Sequence, residues 1–320
     1  MAKTIEDLAK RIGVSYTTIS RAINRPHLVR EETRRKIREA MEHYGIFPNT
    51  SARGLKLGQP KTVGLMVARS SNFFYLEMVN TFQMEAYRRG YLLVLHTYDA
   101  AKPAKDTPFG SHIPLNGIIV QVMEHEAPLL SALASQHVPL VSVSNIPRDD
   151  IPLVASDDAY NMKQLASVMK SRITESDNIA FFSIAPQNFS VEERIRGFSA
   201  VLNRDAASSI RNFDSYDEMN SELEHLIQTR TLPRVIMAMN DYTAVKIILT
   251  LTRQGIRVPE DVIVSGYDNV SLVREMGMSF PTVDPLLSIQ ARTTFDILEA
   301  INSSKPLSVK KHLVKGEVIA

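Results

Sequence analysis

Between Tyr16 and Arg21 the chain reads Tyr-Thr-Thr-Ile-Ser-Arg, which puts a phenol, three hydroxyls and a guanidinium within six residues. Such groups hydrogen-bond to base edges and phosphate oxygens, provided a rigid element presents them on one face. The flanking sequence supplies that element. Thr4 and Asp7 form a capping-box pattern, and Ile5, Leu8, Ala9 and Ile12 make one apolar stripe, predicting a helix to about Arg11. Gly13 suits a left-handed helix stop. Ser15 then caps a second helix through Asn24, with Ile19 and Ile23 inward and Tyr16, Thr17, Thr18, Ser20 and Arg21 outward. A third helix is expected over Arg30–Tyr44, with Ile37, Ala40, Met41 and Tyr44 as its buried stripe. Two helices joined by a glycine turn suit a DNA-reading helix-turn-helix, although similar pairs also occur in helical proteins that bind no DNA.

Charge favours the DNA reading. Residues 1–60 carry twelve Lys and Arg against six acids, a net +6, whereas the other 260 residues carry 25 bases and 29 acids, a net −4. A near-neutral total of +2 therefore conceals a basic head, as expected where one end binds a polyanion. The chain contains no cysteine, and its eight histidines lack metal-ligand spacing, so neither a metal nor another cofactor is expected. No apolar run approaches the roughly 20 residues of a membrane span, and the first residues lack a signal peptide's hydrophobic stretch. The expected location is cytoplasmic, with no membrane partner.

After Lys61, apolar β-branched runs alternate with helix-period segments. The strands expected are 63–67, 91–96, 117–122, 139–143, 179–184, 235–239 and 262–265; the helices are 75–89, 127–136, 160–172, 192–202, 216–229 and 242–254. Such alternation predicts an α/β body with parallel sheets, whose ligands sit beyond the carboxyl ends of the strands. That rule selects Arg69, Ser71, Asn72 and Phe73 after the first strand, then Asn145, Arg148, Asp157, Arg194, Asn240 and Asp268. Two residues have competing roles: Asn72 as a turn former and Asp241 as a helix cap.

The succession Thr4-Ile-Glu-Asp-Leu-Ala, Gly13-Val-Ser-Tyr-Thr-Thr-Ile-Ser-Arg-Ala-Ile-Asn24, Glu31-Glu-Thr-Arg, Pro48-Asn49 and Ala52-Arg53 resembles the head of the lactose-repressor-type (LacI/GalR) transcription regulators. Val63-Gly-Leu, Ser71-Asn-Phe-Phe74, Arg194, Gly197-Phe198, Asn240-Asp241, Val258-Pro-Glu-Asp-Val262, Gly266-Tyr-Asp268 and Pro281-Thr-Val283 extend the resemblance over the body. It implies a helix-turn-helix head (1–45), a hinge-helix linker (46–60) and a two-lobed body like periplasmic binding proteins (61–320). Lobe one would take about 61–156 and 285–311, and lobe two 157–284 and 312–320. The resemblance further implies a homodimer on a pseudo-palindromic double-stranded operator, and a small effector between the lobes that controls operator affinity.

The implied DNA contacts are Thr4, Ser15, Tyr16, Thr17, Thr18, Ser20, Arg21 and Asn24 in the head, with Asn49, Ala52, Arg53, Leu55 and Lys56 in the linker. Leu55 is the candidate minor-groove wedge; the competing reading packs it against the dimer partner. Arg194, Asn240 and Asp268 match the family's effector contacts.

The sequence departs from the family pattern at four places. Arg30 stands where a Ser or Thr cap is usual, and Gly54 interrupts the hinge helix, which is expected to be disordered in the free protein. Residues 100–114 contain three prolines and a glycine in place of a full helix, which bears on the dimer geometry. Finally, Arg69, with Arg148 and Arg194, suits a sugar phosphate or sugar acid, unless Arg69 is a surface residue paired with an acid such as Glu77.

A neutral sugar and a nucleobase stacked on Phe73 or Phe189 are the other effectors considered, and a repressor of carbohydrate genes is the expected function, with a corepressor-dependent regulator as the alternative. An exported solute-binding protein would have no use for the basic head. An enzyme is not expected, since no phosphate loop or poised nucleophile is evident.

Overall fold

The computed structural model describes residues 5–24, 28–44, 61–98, 114–121, 127–136, 138–144, 146, 148–174, 177–184, 188–202, 206–307 and 309–320. Two compact units result, 1–60 and 61–320. In the first, α1 (Ile5–Ile12), α2 (Tyr16–Asn24) and α3 (Glu31–Tyr44) enclose Leu8, Ala9, Ile19 and Ile37. Gly13, at φ +70°, lets α1 end in a Schellman turn, with the Val14 N–H donating to the Ala9 carbonyl at 3.1 Å. Ser15 Oγ caps α2 by accepting the Thr18 N–H at 3.0 Å. At the start of α3, Glu31 and Glu32 place negative charge in the first turn, which compensates part of what Arg30 cannot provide as a cap.

The second unit contains two parallel sheets. Strands β1 (Thr62–Ala68), β2 (Leu92–Tyr98), β3 (Gly117–Gln121), β4 (Leu140–Ser142), β5 (Leu153–Ser156) and β11 (Lys311–Val314) form the first, in the order β11-β5-β4-β3-β1-β2. Helices α4 (Phe74–Arg88), α5 (Ala127–Ala134) and α11 (Leu287–Asn302) accompany it. Its two faces are covered, so β1 is buried continuously from Val63 to Ala68 rather than on alternate residues.

The second sheet has the order β7-β6-β8-β9, from β6 (Ile179–Ile184), β7 (Ile210–Phe213), β8 (Val235–Ala238) and β9 (Ile263–Ser265). It is accompanied by α6 (Asp158–Lys170), α7 (Phe189–Ser199), α8 (Tyr216–Gln228), α9 (Asp241–Arg253) and the short α10 (Ser271–Glu275). A two-stranded antiparallel ribbon joins β10 (Thr282–Asp284) to β12 (Glu317–Ile319).

The chain passes between the sheets after Ser156, after Asp284 and after Val314. Asn161 braces this crossing by accepting the Gly316 N–H at 2.7 Å and donating to Ser156 Oγ at 2.9 Å and to Tyr267 Oη at 3.0 Å. The expected lobe boundary between Lys311 and His312 falls inside a strand, because 311–314 pair with β5 and only 317–319 join the ribbon. Linker residues 46–60 and the segment 99–113 lie outside the described residues, as does any hinge helix or shortened helix there. No helix among the described residues is long and apolar enough to cross a membrane.

Close approach of α6 and α7 depends on Gly197, where an added Cβ would lie 2.2 Å from the Ala159 carbonyl oxygen. Replacing Gly197 with Ala should lower the unfolding free energy by about 1–3 kcal/mol in urea titrations, the usual cost of overpacking.

Candidate functional site

On the head, Tyr16 is half-exposed and Thr17 and Arg21 are exposed along α2. The Thr18 and Ser15 hydroxyls bond to each other at 2.8 Å, so both take part in the cap. Thr4, Asn49, Ala52, Arg53, Leu55 and Lys56 lie outside the described residues, as do the side chains of Ser20 and Asn24.

A cleft of about 910 Å³ opens beyond the carboxyl ends of both sheets. It lies at the switch points of the strand orders, after β1 and β3 in one sheet and after β6 and β8 in the other. Ser71, Asn72, Arg194, Asn240 and Asp268 line it, as does Phe189.

Arg194, on α7, is its centre. Nε donates to Asp158 Oδ1 at 3.2 Å, Nη1 donates to the Met239 carbonyl at 2.6 Å, and Nη2 lies 3.7 Å from Asp268 Oδ1. Its guanidinium carbon sits 3.7 Å from the centre of the Tyr267 ring. Burial opposes the Arg194 charge, but Asp158 and Asp268 more than offset this and hold its pKa above the ordinary value. Burial also drives Asp268 well above the usual carboxylate range, with Arg194 opposing and Asp241 and Asp158 reinforcing the rise. Asn240 Oδ1 caps α9 by accepting the Thr243 N–H at 2.9 Å, which leaves its amide nitrogen as the donor for a ligand.

Several expected positions are placed elsewhere. Asp157 caps α6 by accepting the Tyr160 N–H, and the neighbouring Asp158 is the acid that reaches the cleft. Arg148 is held by Asp150 at 2.7 Å and Ser131 at 2.8 Å, outside the cleft lining. Neither Arg69 nor Phe73 lines the cleft; Phe73 meets Tyr242 edge-on at 5.9 Å. Asn145 lies outside the described residues. Glu77, considered as a partner for Arg69, accepts from Ser271. Asp241 is not a cap; it accepts the Val270 N–H at 2.8 Å and the Thr282 hydroxyl at 2.6 Å.

The case for an anionic ligand thus loses two of its three guanidinia, and the third is already matched by two carboxylates. Sequence reasoning missed Gln121, Asp158, Asp214 and Tyr216 in the lining. Gln121 lies at the end of an expected strand and was open to the same rule; Asp214 and Tyr216 follow β7, whose short run Ile-Arg-Asn-Phe carries no clear strand pattern. Among the described residues, no group of three His, Asp or Glu side chains is placed to hold a metal ion.

Burial pushes Asp241 up to about 6, against hydrogen bonds from Thr282, Val270 and Tyr267 that favour its ionised form. A folded pKa above the unfolded value means that this group's contribution to stability is present below the ordinary carboxylate range and is lost as pH rises through about 6. The loss integrates to about 3 kcal/mol. Unfolding titrations should therefore show a limb of stability falling between about pH 4 and 6.5, and Asp241→Asn should make it shallower, leaving the part that belongs to Asp268.

Residues 4–49 match the family described as bacterial regulatory proteins, lacI family, and residues 60–301 match the periplasmic binding proteins and sugar binding domain of LacI family. The HTH-type transcriptional repressor PurR of Photobacterium profundum is 28% identical over 305 residues, covering 92% of this chain and 90% of that protein. Among solved structures, the lac repressor dimer bound to operator and the anti-inducer ONPF superposes with a TM-score of 0.72 at 20% identity, covering 100% of this chain and 98% of that one. The transcriptional regulator CelR–cellobiose complex gives a TM-score of 0.69 at 20% identity, covering 100% and 99%. With a helix-turn-helix head and a two-lobed α/β body both matched, the chain belongs to the lacI family of bacterial regulatory proteins.

Proposed function

We propose that this chain is a transcriptional repressor that binds a pseudo-palindromic operator as a homodimer and whose operator affinity is set by a small uncharged effector in the cleft. The observation that carries the reading is the joining of an exposed reading helix to a body with a polar cleft centred on Arg194. Tyr16, Thr17 and Arg21 are the base-reading side chains in this account, and one reading helix per protomer enters each half-site. Support for the dimer comes from lobe one, where α4 exposes Leu76, Met84 and Tyr87 and the neighbouring edge strand β2 exposes Leu92 and Leu95. An apolar edge of this kind is stabilised by a second copy.

The effector class follows from charge. Among the described residues, Asp158, Asp214 and Asp268 line the cleft with Arg194 as the one base, and the donors of Arg194 are largely engaged. A phosphate or carboxylate would enter an acidic site, whereas a neutral polyol can donate to carboxylates and accept from Asn240. Gln121 adds a buried Oε1 that has no hydrogen-bond partner among the described residues, an acceptor for a ligand hydroxyl or amine. A neutral nucleobase is the second reading, favoured by the Phe189 ring in the lining. Effector and operator affinities are linked reciprocally, whichever sign the coupling takes.

Two outcomes are expected. In fluorescence anisotropy with an operator selected from random duplexes, Arg21→Ala should weaken specific binding by about 1–3 kcal/mol while nonspecific binding changes far less. In thermal-shift screening of the full chain, neutral sugars or nucleobases should stabilise, by about 2.7 kcal/mol at 100 times the dissociation constant. A sugar phosphate that outperforms its parent sugar would contradict the uncharged-effector reading.

A further inference from the structure

The two lobes meet through side chains that need no effector between them. Glu77, in the first turn of α4, uses Oε1 to accept both the backbone N–H and the hydroxyl of Ser271, the first residue of α10 on the other lobe. Two further contacts bridge the same mouth. The Asn72 side chain hydrogen-bonds to Asp268, and the Phe73 and Tyr242 rings meet edge-to-face at 75°.

The segment 268–271 carries both ends of this connection. Asp268 and Asn269 lie at φ +112° and +50°, backbone that non-glycine residues seldom adopt without external support. Support comes from all sides. Asp241 accepts the Val270 N–H, Thr282 Oγ1 accepts the Asn269 N–H at 3.3 Å, and the Asn269 amide donates to Asp284 Oδ2 at 3.0 Å. Arg274 holds the Asn269 carbonyl at 2.7 Å. A segment so fixed transmits displacement instead of absorbing it. Asp268 faces Arg194 in the cleft, and three residues later Ser271 grips α4, whose outer side carries Leu76, Met84 and Tyr87.

We propose that Glu77 and Ser271 form a cross-lobe latch, with Glu77 a positioning residue that ties the cleft-facing segment 268–271 to α4 and biases the lobes towards their closed arrangement before any effector binds. The latch sets the starting equilibrium on which an effector acts, and so the fraction of its affinity spent on closing the lobes. Its link to operator binding runs through α4 and rests on the dimer reading above; the closure bias itself does not.

The absence of native cysteine makes the test clean. Ser303→Cys on lobe one and Glu224→Cys on lobe two, both exposed, accept spin labels on the full chain. Pulsed electron–electron resonance on protein diluted with unlabelled chain then gives the inter-lobe distance distribution without effector. Glu77→Ala, which removes both hydrogen bonds of the latch, should raise the population at the open distance roughly tenfold or more, since a single hydrogen bond to a charged group carries about that factor in an equilibrium constant. Ser271→Ala, which removes the hydroxyl and keeps the N–H, should fall between Glu77→Ala and the parent, and Ser271→Thr should restore the parent distribution. Unchanged distributions in both Glu77→Ala and Ser271→Ala would overturn the proposal. Should Glu77→Ala fail to fold, the Ser271 pair decides: equal distributions for Ala and Thr would overturn it equally.

Discussion

Everything at the cleft is arranged around the Arg194 guanidinium. It is almost wholly removed from water, so its charge must be met by partners fixed in advance, and four groups from three places in the chain supply them: Asp158 at the start of α6, the Met239 carbonyl after β8, and the adjacent Tyr267 ring and Asp268 carboxyl after β9. A buried charge so matched adds little net stability over an apolar core, but losing one partner leaves the others unpaired. Such a knot dictates geometry. The α6–α7 approach permitted by Gly197, three residues beyond Arg194 on the same helix face, brings the arginine within reach of Asp158.

The knot also explains how the cleft can be both polar and selective. Three carboxylates around one arginine make charge the scarce quantity, and burial resolves the excess by raising the proton affinity of Asp268 and Asp241. Carboxylate acceptors beside the Asn240 amide donor suit uncharged ligands rich in hydroxyl groups. Because Asp268 is also bonded to Asn72 across the cleft mouth, any ligand that alters the Asp268 contacts acts on the junction between the lobes. In this account, effector recognition and lobe closure draw on the same side chains.

Much of the molecule was legible from sequence, for identifiable reasons. Gly13 and Ser15 encode the turn of the head, and long apolar runs such as Val63–Val67 and Ile179–Ile184 encode buried parallel strands. What sequence could not show is direction. Asp157 and Asp158 are adjacent and chemically identical, yet one accepts a cap hydrogen bond and the other is buried against Arg194. Arg69 and Arg148 also follow strands, but leaving a strand end does not determine which way a side chain points. Helix α11 lacks a readable start, since Leu286 offers no capping side chain and lies at φ +54°. Strand β11 is short and alternately exposed, an edge with no apolar run, and this is why the lobe boundary was displaced by three residues.

Occupation of the Arg194 cleft by the effector is read by hydrogen–deuterium exchange of the full chain with and without a stabilising ligand from the screen. Exchange should slow at 70–75, 239–243 and 266–271, on both walls together. Protection confined to the far end of lobe two, around 170–180 and 208–211, with those three segments unchanged, would contradict it.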